Sequence, residues 1–174
     1  MPWYALKIFY NRSEQIADEL RQELAVETYL PTVVKVVERN GQRKKTVCPL
    51  VSSLLFFLAD PELLPAVKRL IDSRAMIYTR PTESGREPAP IPDREMQIFR
   101  MVASSGAEGL EYIPDGEVAL KKGETVRVIA GPLRGAEGHI VRIRGDRRLL
   151  VEIQGVCAIA TSYIPRAMLQ PVNE

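Results

Sequence analysis

The segment spanning residues 123–143, GETVRVIAGPLRGAEGHIVRI, constrains the fold more than any other part of the chain. Val126 and Val128 on one side, and Ile140, Val141 and Ile143 on the other, form two β-branched runs. Gly131, Pro132, Gly135 and Gly138 lie between them. β-Branched side chains fit a pleated surface, so the pattern predicts two strands joined by a wide, sharply bent turn. Three glycines within eight residues predict backbone positions with positive φ or without room for a Cβ, and Pro132 fixes φ where the turn begins. A phosphate-binding loop would need a lysine and a hydroxyl after its final glycine, followed by a helix. Here Gly138 is followed by His139 and Ile140, and strand character resumes.

A chain of 174 residues holds one ordinary domain or two small ones. Its 45% apolar and 26% charged residues are those of a folded, water-soluble chain, not a collagenous, disordered or disulfide-framework sequence. No apolar run reaches the roughly 18 residues of a membrane span. The start, MPWYALKIFY, lacks the basic-then-apolar form of a signal peptide, so a cytoplasmic protein without membrane association is expected. Cys48 and Cys157 lie far apart with no histidine at ligand spacing, and both read as small apolar residues in a reducing compartment. The net charge of +2 reads as evenly spread, so affinity for nucleic acid would need a local patch or a partner that delivers the protein.

In chain order, residues 3–9 predict a strand with Trp3, Ala5 and Lys7 on one face and Tyr4, Leu6 and Ile8 on the other. Ser13 reads as the N-cap of a helix carrying Ile16, Ala17, Leu20 and Leu24 on one stripe. Residues 27–38 return to strand character, and Asn40-Gly41 is a hairpin turn signal. The basic run Arg43, Lys44, Lys45 reads as a solvated hairpin tip. From Val47 to Ala59 the chain is nearly uniformly apolar after Cys48-Pro49, which implies a strand buried on both faces or one whose outer face meets a partner. A helix follows over 61–71, then a short strand at 76–79, a loop at 82–90 and a third helix opened by Pro92-Asp93. This β-α-β-β-α-β order with a closing helix gives an α+β domain, an antiparallel sheet with flanking helices, over residues 1–103. Residues 104–116, rich in Gly, Ser and acids, read as a linker. Residues 117–174 contain five short strands separated by turns, the pattern of a small β-barrel.

The spacing Gly123, Val126, Val128, Gly131-Pro132, Gly135, Gly138, Ile140 resembles the KOW motif of SH3-like barrels in transcription factors and ribosomal proteins. Trp3-Tyr4, the helix near Ser13, Pro31, the Cys48-Pro49 to Leu58 segment and Ala89-Pro90-Ile91-Pro92 together resemble the N-terminal domain of NusG, and a KOW barrel after a linker completes that architecture. The resemblance implies a non-enzymatic transcription elongation and antitermination factor that docks on the RNA polymerase clamp helices and recruits a second partner through its barrel. Val51-Ser52-Ser53-Leu54 stands where housekeeping NusG proteins have a Pro-Gly-Tyr or similar signature, which is more like the specialised RfaH and UpxY-type paralogues of surface-polysaccharide operons.

Carried over residue by residue, that resemblance sets the polymerase-docking surface near Val51, Leu54 and Phe56, with Tyr4 and Tyr78 as neighbours. By alternation one of Phe56 and Phe57 must face inward. Lys7, Arg12, Lys68, Arg69 and Arg74 are the candidates for contacting exposed non-template DNA or nascent RNA. Arg142, Arg144, Arg147 and Arg148 form a positive cluster on the barrel's second hairpin, a candidate surface for RNA or for a protein partner, Rho or a ribosomal protein. A monomer is expected. No nucleophile, metal or cofactor constellation stands out; His139 reads as a strand residue, and Asp93 and Glu95 suit a helix N-terminus. The competing class is an RNA-binding or ribosome-associated protein that uses its KOW barrel on structured RNA.

Overall fold

In the computed structural model, which describes residues 1–114 and 120–172, the apolar opening segment forms β1 (Trp3–Ile8). It is followed by α1 (Ser13–Leu24), β2 (Glu27–Tyr29), β3 (Thr32–Arg39), β4 (Gln42–Pro49), β5 (Leu54–Leu58), α2 (Leu64–Ile71, preceded by a 3-10 turn at Pro61–Leu63), β6 (Ala75–Ile77), β7 (Thr79–Thr82) and β8 (Gly85–Pro88). β1 lies inside a four-stranded sheet of order β2-β5-β1-β6 and pairs antiparallel with both neighbours. Tyr4, Leu6 and Ile8 face the helices, where they join Leu55 and Phe57 of β5, Ile16 and Leu20 of α1, and Val67 and Ile71 of α2 in one buried cluster. Each such side chain contributes about 1.5–3 kcal/mol of burial, so this face supplies a large share of the stability of the first unit.

Several expectations are revised by this arrangement. The strand expected over 27–38 breaks at Pro31, which has no N–H to continue a ladder; its carbonyl instead accepts from the Leu50 amide at 2.7 Å. β3 and β4 pair with each other as a separate two-stranded sheet. The loop expected at 82–90 contains β8, which pairs with β7. Ser13 is a buried first residue of α1 and makes no cap bond; Arg12 holds the cap position. The apolar run at 54–57 is buried on both faces.

The second unit runs from Arg94 to Glu174, against Met1–Asp93 for the first. Its elements are α3 (Asp93–Ala103), β9 (Glu111–Pro114), β10 (Thr125–Val128), β11 (Glu137–Ile143), β12 (Asp146–Ile153), β13 (Cys157–Tyr163) and β14 (Leu169–Pro171). From Arg94 onward α3 lies in this unit, where Arg94 pairs with Glu137 and the Glu95 carboxylate accepts from the Gln154 amide at 3.2 Å. The strands form a six-stranded antiparallel sheet of order β14-β10-β11-β12-β13-β9. β9 comes from the stretch expected to be a linker, where Ile113 is buried opposite Ala158. The expected linker-to-barrel junction at Gly116 and Glu117 lies outside the described residues.

The turn between β10 and β11 follows the glycine pattern closely. Gly131 and Gly135 have φ of +85° and +93°, and the Gly135 amide donates to Val128 O at 2.8 Å while Leu133 and Ala136 turn inward. Gly138 has no positive φ, but a Cβ there would lie 2.2 Å from Leu150 O. The obstructing atom belongs to the backbone of β12, and moving it disrupts the β11–β12 ladder. Gly138→Ala should lower unfolding free energy by about 3 kcal/mol or more, in the range of a severe core clash. Gly145→Ala, at φ +84° with open space around its Cβ, should cost only about 1 kcal/mol. Urea titration of both variants measures the difference; equal losses would contradict the close approach.

Candidate docking surface

The face of the first sheet opposite the helices is set by register. Tyr29, Phe56 and Ala5 lie side by side across β2, β5 and β1, and the Tyr78 amide extends the row by donating to Ala5 O at 2.9 Å. Glu27, Leu58 and Trp3 form the row on one side, bridged to Ile91, and Leu54, Lys7 and Met76 the row on the other. Tyr29 and Phe56 stack with ring centroids 6.1 Å apart.

This geometry separates the residues expected to dock together. Tyr4 points to the opposite, helix-covered face, where it stacks on Phe57 at 5.6 Å, and burial pushes its phenol above the ordinary tyrosine value. Leu54 and Phe56 do share the second face, but both are 0% exposed and so are core side chains instead of an open patch. Tyr78 is half-buried at its margin, and Val51 is half-buried in the turn before β5. Local alternation missed two further margin residues, Tyr29 (half-buried) and Met76 (50% exposed). Their strands are only three residues long, too short to show a period.

The basic candidates also divide. Lys7, Arg12, Lys68 and Arg69 are exposed. Arg74 is committed elsewhere: its guanidinium donates to both Glu19 carboxylate oxygens at 2.9 and 2.6 Å and to Leu70 O at 2.7 Å, which ties α1 to the end of α2. The four barrel arginines do not make one cluster. Arg148 shares a face with buried Val141 and donates to Glu111 at 3.1 Å, Arg142 and Arg147 face the other way, and Arg144 occupies the turn at φ +52°. Arg147 lines a cleft of about 170 Å³ with Glu124, Val126, Ile140, Arg166, Leu169 and Pro171. His139 Nδ1 lies 3.4 Å from the Thr125 hydroxyl. Cys48 is half-buried and Cys157 buried, and neither is in a disulfide.

Residues 1–100, more than half of the chain, match the protein-family model described as transcription termination factor nusG. The chain belongs to the NusG family. Residues 122–153 match the KOW motif. Members of the NusG family are transcription factors. The transcription termination/antitermination protein NusG of Pseudomonas aeruginosa is 25% identical over 154 residues, covering 83% of each chain. That of Thermus thermophilus is 27% identical over 169 residues, 88% of this chain and 90% of its own. The large ribosomal subunit protein uL24 of a Nocardioides species is 50% identical over 36 residues, 20% of this chain and 29% of its own. A solved structure described as domain interaction in Thermotoga maritima NusG aligns over 99% of this chain and 97% of its own, with a TM-score of 0.47 at 18% identity. Among the described residues no helix is long and apolar enough to cross a membrane.

The Arg74 hydrogen bonds hold the Glu19 carboxyl below its ordinary range, overcoming the opposing effect of burial. The stabilisation is therefore present above the ordinary glutamate value near 4.3 and is lost as pH falls through the lowered folded value. Glu19→Gln should lower the melting temperature at pH 7 by the equivalent of about 1 kcal/mol, and the gap to wild type should close below about pH 4. Thermal melts across pH 3–8 check this; a gap independent of pH would contradict the ion pair.

Proposed function

We propose that this NusG-family chain rides on RNA polymerase as an elongation and antitermination factor, docking on the clamp helices through the margin of the second sheet face. The reading is carried by one observation: half-buried Tyr29 and Tyr78 and half-exposed Met76 flank a face whose centre, Leu54 and Phe56, is closed, and half-buried Val51 lies in the turn that leads into β5. A rigid buried centre with apolar groups at its edge is pre-organised for a helical partner, since little ordering entropy remains to be lost on docking. Binding that favours the closed, elongating polymerase over the paused one shifts that equilibrium by its differential affinity alone. Val51-Ser52-Ser53, in the turn between β4 and β5, supports a specialised paralogue of the RfaH or UpxY type acting on selected operons such as surface-polysaccharide clusters. Lys7 on the same face, with exposed Arg12, Lys68 and Arg69, would position nearby non-template DNA or nascent RNA. Rho or a ribosomal protein is the proposed partner of the barrel, and the protein is taken to act as a cytoplasmic monomer.

A second reading, RNA or ribosome binding through the barrel, is favoured by the 36-residue similarity to a ribosomal protein. It is weakened by the engagement of Arg148 with Glu111. The two readings differ in where substitutions act. Val51→Asp or Tyr78→Ala should each weaken capture of purified RNA polymerase by the full chain at least tenfold, the loss of about one apolar anchor. Arg142→Gln with Arg147→Gln should leave it unchanged. The reverse pattern, with loss of structured-RNA binding, would favour the barrel.

A further inference from the structure

The charge of this chain is concentrated on the β3–β4 ribbon. Residues 32–49 contain Lys35, Arg39, Arg43, Lys44 and Lys45 against the single carboxylate Glu38, a net +4 in a chain whose total is +2. The remainder of the protein is therefore net acidic. Every residue from Val34 to Val47 is exposed, and none of the five cations makes an ion pair or side-chain hydrogen bond among the described residues. The register puts Val34 opposite Val47, Val36 opposite Lys45 and Glu38 opposite Arg43 on one face. Lys35 with Thr46, Val37 with Lys44 and Arg39 with Gln42 occupy the other. Val34, Val36 and Val47 are 63%, 61% and 66% exposed, an apolar strip on a ribbon with no other strand beside it.

We infer that this ribbon is an arm that lies in the major groove of double-stranded DNA. It spans eight residues per strand, about 27 Å, and a two-stranded ribbon is an element that groove admits. Cations on both strands, Lys35 and Arg39 on β3 and Arg43, Lys44 and Lys45 on β4, suit a groove walled by phosphates on two sides. The valine strip faces the groove floor, where methyl groups meet sugars and thymine methyls. Single strands are disfavoured because the ribbon has no aromatic side chain to stack on bases. Duplex RNA is disfavoured because its major groove is too deep and narrow to enter. The inference goes beyond the polymerase reading and does not rest on it, and its test contains no polymerase.

The test is fluorescence anisotropy of the full chain on a labelled duplex of about 20 base pairs, with KCl varied between about 50 and 200 mM. The triple variant Lys35→Gln, Lys44→Gln, Lys45→Gln should bind at least tenfold more weakly at the lower salt. Its log–log salt slope should be shallower by about 2–3, one phosphate contact per cation removed. Val34→Ser with Val47→Ser should weaken binding at unchanged slope, and Arg142→Gln with Arg144→Gln in the barrel should do neither. Circular dichroism verifies folding of each variant. An unchanged slope in the triple variant overturns the inference, as does single-stranded DNA or duplex RNA bound as tightly as duplex DNA, or loss of binding on removing the barrel arginines instead.

Discussion

The pairing of β1 with β5 in one register determines most of the first unit. With Tyr4 opposite Phe57 and Ala5 opposite Phe56, alternate residues of both strands are committed to opposite faces, and a slip of one residue would exchange them all. One face then carries the aromatic and aliphatic side chains that α1 and α2 cover. The other carries Phe56 and Leu54 at its centre and leaves Tyr78 and Met76 at its margin. Local stability and the candidate docking surface are thus two consequences of the same ladder.

Much of this was legible in the residues. The alternation of Tyr4, Leu6 and Ile8 with Trp3, Ala5 and Lys7 assigns the two faces of β1, and the apolar stretch from Val47 to Ala59 leaves open burial on both faces or cover by a partner, of which residues 54–57 show the first. The face relation between Tyr4 and Phe56 was not legible, because it depends on a pairing between segments some fifty residues apart that no local pattern encodes. Arg74 looked like a free basic residue for the same reason: its carboxylate, Glu19, lies 55 positions away. The partners of α3 follow that logic too: Pro92-Asp93 marks where a helix starts, but Glu137 and Gln154, which meet Arg94 and Glu95, lie far along the chain.

In the second unit the glycine spacing carries information of two physical kinds. Gly131 and Gly135 are required by conformation, and Gly138 by the closeness of the Leu150 carbonyl. A sequence shows that glycines are present and not which of these demands each one meets. The arginines of the β11–β12 hairpin show the converse: close in sequence, they divide into two pairs, Arg144 and Arg148 on Glu111 and Arg142 opposite Arg147. The basic run at 43–45 reads locally as a solvated tip, and gains significance only when β3 brings Lys35 and the exposed valines beside it.

The central functional claim is that polymerase covers the margin of the second sheet face. Amide hydrogen exchange of the whole chain, alone and saturated with RNA polymerase, addresses it directly. Added protection at residues 51–53 and 76–79, with unchanged exchange in α1 and α2, is the predicted result. Protection confined to the β11–β12 hairpin, with none at 51–53 or 76–79, would contradict it.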